Sequence, residues 1–314
     1  MAQTPAADHP LAGRRVLVTG ARGFIGSRVS QRLVQAGCQV HGATRGQRGE
    51  DEAIRWVRAD LIDIEATQAL FAGVRPEIVL HLAARVAGAR DVELVPEMLT
   101  ANLLTTVNVL MCALESGCGR VVLAGSMEEP IETLEEPSSP YAASKWAASE
   151  YARMFYALYG SPIVTLRISM AYGPGQRDVQ KVVPYTTLSL LRGEAPRLTS
   201  GSREADWVYI DDVVDAFIRA STVDGVEGET IDVGSGSLVT VRELVERLVC
   251  LIDAKIEPVF GAVPDRAHEI SPIANVELAK KLLGWESTTP LEAGLRHTVE
   301  WYARRLGVGL LRTA

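Results

Sequence analysis

Residues 16–29, VLVTGARGFIGSRV, set three glycines directly after an apolar, β-branched run and at the start of an amphipathic stretch. Gly20 permits a tight turn, Gly23 lets backbone N–H groups approach a pyrophosphate, and Gly26 allows a helix to pack closely on the preceding strand. The N-terminus of that helix adds its positive dipole end. This opening commits the chain to strand–turn–helix and to a sheet whose carboxyl edge can hold a nucleotide.

The segments that follow fit that start. Strand-like runs at 39–43, 54–59, 78–82, 120–124 and 163–167 alternate with helical stretches at 27–36, 95–114 and 141–158. The runs are rich in Val, Ile and Leu without alternation, which predicts burial on both faces. The fold class is therefore α/β: a Rossmann-like doubly wound parallel sheet over residues 12–170. Residues 171–314 carry more loops, with helices expected at 209–220, 241–251 and 276–283. They read as a smaller C-terminal α/β substrate lobe that returns segments to the first domain.

Composition excludes several functions. A net charge of -7 argues against nucleic acid or an anionic membrane as partner. The longest apolar runs, such as residues 77–84, are too short to span a bilayer. The N-terminal MAQTPAADHP lacks the charge and apolar core of a secretory signal. Four scattered cysteines, without CxxC spacing, read as buried thiols of a reducing cytoplasm. Neither they nor the five histidines show metal-ligand spacing, so no metal is expected.

The end of the second strand bears on the nucleotide. Where an NAD site usually carries an acidic ribose ligand, CQVHGATRG offers Thr44 and Arg45. A hydroxyl and a cation suit a 2′-phosphate, so NADP(H) is favoured over NAD(H), with Arg22 as a second contact. Asp60, after the third strand, reads either as an adenine partner or as the cap of the next turn.

Together these motifs resemble the extended short-chain dehydrogenase/reductases, the NAD-dependent epimerase/dehydratase family. TGARGFIG matches its glycine motif, HLAA at 81–84 its fourth strand, Asn102 its helix asparagine, and PYAASK its Tyr-x-x-x-Lys; VYIDDV and LGWESTTPLEAGLRHTVEWY match its C-terminal half. The resemblance implies a cofactor site that also includes Phe24, Ile25, Leu61, Leu82, Ala83, Ala84 and Asn102. It implies that Tyr141 exchanges a proton at a carbonyl or carbinol oxygen and that Lys145, one helical turn on, binds ribose hydroxyls and favours the tyrosinate. Ser126 would hydrogen-bond the reacting oxygen. The implied substrate is a small molecule, a nucleotide-activated sugar. A homodimer is also implied, with helices 95–114 and 141–158 paired across it; Met98, Leu103, Val107 and Leu110 serve either that seam or the core.

The departures from the family decide the reaction. Met170 replaces the asparagine before YGP, and Ala205 and Val263 stand where substrate-binding arginines belong, leaving Arg203 and Arg266 nearby as substitutes. In the dehydratases of the family, the serine or threonine is followed by an acid and a glutamate base. Glu128 falls at the base position, but Met127 has no proton to give. GSMEE is similar to a stretch in ketoreductases of the family, where Glu128 and Met127 would contact the sugar. Glu129 reads as an exposed loop charge. An NADPH-dependent 4-ketoreductase ranks first, then a 4,6-dehydratase, then a 4-epimerase with retained cofactor. A non-catalytic NADP(H)-binding sensor or scaffold is the reading of another class, opposed by the intact Ser126, Tyr141 and Lys145.

Overall fold

The structure, a computed structural model, describes residues 9–47, 49–130, 136–266 and 269–308. Apart from His9 and Pro10, the N-terminal leader lies outside them. The chain runs β1 (Arg15–Thr19), α1 (Phe24–Gln35), β2 (Gln39–Thr44), β3 (Arg55–Arg58), α2 (Ile64–Val74), β4 (Ile78–His81), α3 (Leu94–Met98), α4 (Thr105–Glu115), β5 (Arg120–Ser126), α5 (Pro140–Tyr159) and β6 (Ile163–Ile168). It continues with β7 (Met170–Tyr172), α6 (Val182–Leu191), β8 (Glu204–Tyr209), α7 (Ile210–Ala220), β9 (Thr230–Val233), β10 (Leu238–Thr240), α8 (Val241–Ile252), α9 (Val276–Leu283) and α10 (Leu291–Leu306).

Seven strands form a sheet in the order β3-β2-β1-β4-β5-β6-β9. The pairs from β3 through β6 are all parallel. The order reverses between β1 and β4, which opens a crevice at their carboxyl ends. Val16, Leu17, Val18, Val79, Leu80, Val121 and Val122 are fully buried, so both sheet faces are covered, as the unalternating runs predicted. Each such side chain contributes about 1.5–3 kcal/mol relative to leaving it exposed. On one face Leu17, Val79, Val121 and Ile163 share a core with Leu70 and Phe71 of α2, Val109 and Leu110 of α4, and Ala152 and Phe155 of α5.

The chain divides into two compact units: residues 1–168, 214–232 and 277–285, and residues 169–213, 233–276 and 286–314. The first holds the large sheet. The second has a three-stranded sheet, β10-β8-β7, with α6, α8 and α10. Buried Asp206 organises it by accepting from the amides of Ser235 (2.6 Å), Gly236 (3.0 Å) and Ala274 (3.1 Å).

The structure corrects or decides four sequence expectations. The stretch expected as one α-helix from 95 to 114 widens into a π-helical segment over Leu99–Leu104. Residues 94–115 are helical throughout and long and apolar enough to cross a membrane, contrary to the reading from short runs, yet half of that span is buried inside the fold. Of the four residues left open between seam and core, Met98 and Leu110 are core and Leu103 and Val107 are half-buried; the exposed apolar residues of this helical stretch include Leu99, Leu104, Met111 and Leu114. The thiols are not all buried: Cys112 and Cys118 are, Cys38 is half-buried, and Cys250 is exposed.

Candidate active site

The glycine turn is closed by its own backbone. Gly20 has φ +67°, and a Cβ there would lie 2.7 Å from the Ala83 nitrogen and the Leu82 carbonyl. A Cβ on Gly26 would lie 2.1 Å from the Gly20 oxygen. Only glycine fits either position. Gly23 caps α1 without a side-chain hydrogen bond, and the first turn, with half-buried Phe24 and Ile25, carries no acidic residue. An uncapped, positively polarised helix end beside glycine backbone fits a pyrophosphate.

At the end of β2, Thr44 Oγ1 accepts the Gly46 N–H (3.2 Å) and donates to the Gln47 carbonyl (3.3 Å). Arg22 donates to that same carbonyl (3.1 Å), bringing its guanidinium to the β2 turn. Arg45 is exposed in this turn. Asp60 is exposed and takes the capping role, accepting the Ile62 N–H at 3.2 Å. Leu61 is buried, and its carbonyl accepts from Asn108 (2.9 Å).

Beneath the crevice, a directed network joins β1, β4 and the π segment. Thr19 Oγ1 accepts the amides of Leu82 (3.2 Å) and Ala83 (3.1 Å), which leaves its proton for His81 Nδ1 at 2.8 Å. Thr106 donates to the Asn102 carbonyl (2.6 Å), so its oxygen receives the proton of His81 Nε2 at 3.1 Å. His81 is thereby fixed as the neutral Nε2–H tautomer. Burial and the positive charge of Lys145 push its pKa down to about 3. Ala84 is exposed at the crevice. The Asn102 side chain accepts the Arg85 N–H (2.7 Å) and donates to the Arg85 carbonyl (3.0 Å) and to Ser144 (2.9 Å). It thus ties the segment after β4 to α5, from a π-helical turn of the kind often found at functional sites.

The start of α5 is set by Ser139, whose side chain accepts the Ala142 N–H, and by Pro140 in the first turn. Tyr141 and Lys145 then follow at helical spacing on one face. The Ser126 hydroxyl accepts the Glu128 N–H (3.1 Å) and hydrogen-bonds the Tyr141 side chain. Buried Lys145 donates to the Ala124 carbonyl. Ser126, Glu128, Tyr141 and Lys145 are therefore brought together at the end of β5.

Burial raises the pKa of Tyr141, with further upward contributions from the charges of Glu128 and Glu129; the Ser126 hydrogen bond opposes them. Burial lowers that of Lys145, against the opposing charge of Glu129. Glu129 corrects the sequence reading. It lies in the loop after β5 but is buried, 2 % exposed, and Met127 in the same loop is likewise buried at 3 %. The Glu129 carboxylate accepts from the Ser126 amide (2.6 Å) and Ser149 hydroxyl (2.7 Å). The available signal was Ser149, at the Tyr141 + 8 position on the face that carries Lys145. Its partner across the loop had no sequence mark.

Arg203 and Arg266 lie in the second unit. Arg203 is mostly buried and paired with Glu269 at 3.4 Å; Arg266 is exposed.

A doubly wound sheet, a glycine cradle at its switch point and a Ser/Tyr/Lys cluster define a dinucleotide-dependent enzyme of the short-chain dehydrogenase type. The model of the NAD dependent epimerase/dehydratase family matches residues 16–234, and the chain belongs to that family, as its motifs implied. It is similar to the UDP-glucose 4-epimerase of Mycolicibacterium smegmatis: 33 % identity over 93 % of this chain and 99 % of that protein. The dTDP-glucose 4,6-dehydratase of Neisseria meningitidis serogroup B is 27 % identical over 92 % of this chain and 93 % of its own. Among solved structures, the Thermus thermophilus UDP-glucose 4-epimerase in complex with NAD superposes with a TM-score of 0.79, at 28 % identity, covering 92 % and 98 % of the two chains.

Proposed function

We propose that this enzyme moves a hydride at a carbonyl or carbinol carbon of a nucleotide-activated sugar, working as an NADP(H)-dependent 4-ketoreductase. The sugar-nucleotide class is supported by the relatives, whose names are those of UDP- and dTDP-sugar enzymes. One arrangement carries the ketoreductase reading: the Tyr141 phenol hydrogen-bonds Ser126 near the carboxylates of Glu128 and Glu129, and burial and those charges raise its pKa, which favours the protonated, proton-donating form. Ketone reduction consumes a proton at the oxygen, and Tyr141 supplies it. Ser126 orients that oxygen, and the Lys145 ammonium stabilises the negative charge left on the phenol. When bound, the nicotinamide nucleotide supplies the hydride. Gly20, Gly23, Phe24, Ile25 and Gly26 would hold its pyrophosphate, and Thr44, Arg22 and Arg45 its 2′-phosphate; the absence of an acid at the end of β2 favours NADP(H). Buried, aprotic Met127 disfavours dehydration through an acid at that position.

The second reading is a 4-epimerase with retained NAD, favoured by the M. smegmatis relative and by the NAD-bound Thermus structure. We further place the enzyme in the cytoplasm, as a homodimer seamed by the exposed apolar residues of α4 and α5, among them Met111, Leu114, Tyr151 and Tyr156.

The test is to denature freshly purified protein, identify any released nucleotide by mass spectrometry, and titrate emptied protein with NADPH and NADH. The reading expects no retained nucleotide, tighter binding of NADPH, and a loss of about tenfold or more in NADPH affinity in Arg45→Glu, the worth of a charge-assisted contact. A stoichiometric oxidised nucleotide released from the protein would replace it with the epimerase or dehydratase reading.

A further inference from the structure

Glu129 has no place in the proton transfer just described, and yet it is the most completely buried carboxylate beside it. Its position is built rather than incidental. One oxygen takes the Ser126 amide at 2.6 Å and the other the Ser149 hydroxyl at 2.7 Å. Residues 141, 145 and 149 follow at spacings of four on α5, so the carboxylate is anchored to the same helical row as Tyr141 and Lys145. Gly125 leaves it room: a Cβ there would lie 3.0 Å from Glu129 Oε1. Three groups at the end of β5 thus receive site side chains, with Lys145 on the Ala124 carbonyl, Glu129 on the Ser126 amide, and Tyr141 on the Ser126 hydroxyl.

We propose that Glu129 is a positioning residue and the counter-charge of the site, its pinned carboxylate setting how tightly the Tyr141–Lys145 pair holds its protons. The groups acting on it are known from each side. On its own segment are Ser126 and Glu128; on α5, Tyr141, Lys145 and Ser149. On β6 is Arg167, which is engaged with Asp232 of β9 at 2.7 Å. His81 of β4, neutral, completes the surroundings of Lys145. Lys145 and Arg167 both favour the ionised carboxylate against burial. In turn the negative charge raises the proton affinity of both Lys145 and Tyr141. The Glu129 charge acts on Tyr141 and Lys145 with the same sign, so removing it makes either proton leave at lower pH. The proposal rests on the reading of Tyr141 and Lys145 as the proton-handling pair, but its test does not require a substrate.

The chain has five lysines, so protein labelled with 13C at lysine Cε gives few resonances, and Lys145→Arg assigns the one of interest. In Glu129→Gln, which retains an acceptor for the Ser126 amide and a partner for Ser149, the Lys145 midpoint should fall by about one pH unit or more. The alkaline limb of the pH–rate profile should move in the same direction. Glu129→Asp should restore much of both. An unchanged Lys145 midpoint in a Glu129→Gln variant of native melting temperature would overturn the proposal. Should that variant not fold, the wild-type protein still decides. The Lys145 resonance should show a second, acid-side inflection above the usual carboxylate range as Glu129 takes up its proton, and a curve lacking it refutes the proposal. Failure of the ketoreductase reading alone would leave these titrations as predicted while no keto sugar is turned over.

Discussion

Gly26→Ala is the sharpest test of the cradle. The added methyl would fall 2.1 Å from the Gly20 oxygen, 2.8 Å from the Gly20 carbonyl carbon and 3.1 Å from the Ala21 Cα. All three atoms are backbone, so no rotamer change relieves the clash; α1 must withdraw from the β1 turn by about 1 Å to restore ordinary contact. Overpacking typically costs about 1–3 kcal/mol, and a rigid partner puts this case at the upper end. At about 2–4 °C per kcal/mol, the melting temperature should fall by roughly 6–12 °C. Withdrawal of the helix end also separates its N–H groups from a bound pyrophosphate, so NADPH affinity should drop at least about tenfold. Gly73→Ala is the control. Gly73 lies in the last turn of α2, with nothing within 4 Å of the methyl that alanine would add and no left-handed φ. There alanine should stabilise by about 0.5–1 kcal/mol and leave cofactor binding alone. Differential scanning fluorimetry and fluorescence titration read both. Wild-type melting and binding in Gly26→Ala, or equal losses in the two variants, would refute the steric argument.

Two further outcomes follow from the site. His81 is held neutral with a pKa of about 3 against an ordinary 6.5, so the unfolded chain binds its proton first. Its contribution is therefore complete above pH 6.5 and is lost as pH falls toward 3, about 2 kcal/mol of it by pH 5; urea melts should show this slope in the wild type and its loss in His81→Gln. Tyr141→Phe should reduce turnover by about 10²–10⁴ while NADPH affinity stays near wild type, and a variant retaining full activity would remove Tyr141 from the chemistry.

Much of the framework was legible in residue order. The β1–α1 turn is local: its glycines lie within seven residues, and their steric requirement is the same in any sheet that receives them. The Tyr141/Lys145 spacing is equally local, since helical geometry alone puts residues four apart on one face. Burial on both sides of β1, β4 and β5 followed from apolar runs without alternation. Each of these depends on neighbours along the chain, and so could be read from it.

What failed depended on partners distant in sequence. Glu129 looked like its neighbour Glu128, but one lies in the core and the other at its margin. A carboxylate's fate there is decided by whether the Ser126 amide and Ser149, twenty residues on, converge on it. Met98 and Leu110 satisfied a seam pattern as well as a core pattern, an alternative the sequence left open; the packing of α3 against α5 buries Met98, and that of α4 against α2 and α5 buries Leu110. The protonation of His81 belongs wholly to the fold, because its two ring nitrogens are assigned by hydroxyls from β1 and α4. Sequence order by itself determined the elements and the local motifs they carry. The tertiary structure alone decided which charges are buried together, because desolvation and hydrogen-bond partners are set by whatever the folded chain brings within a few ångströms.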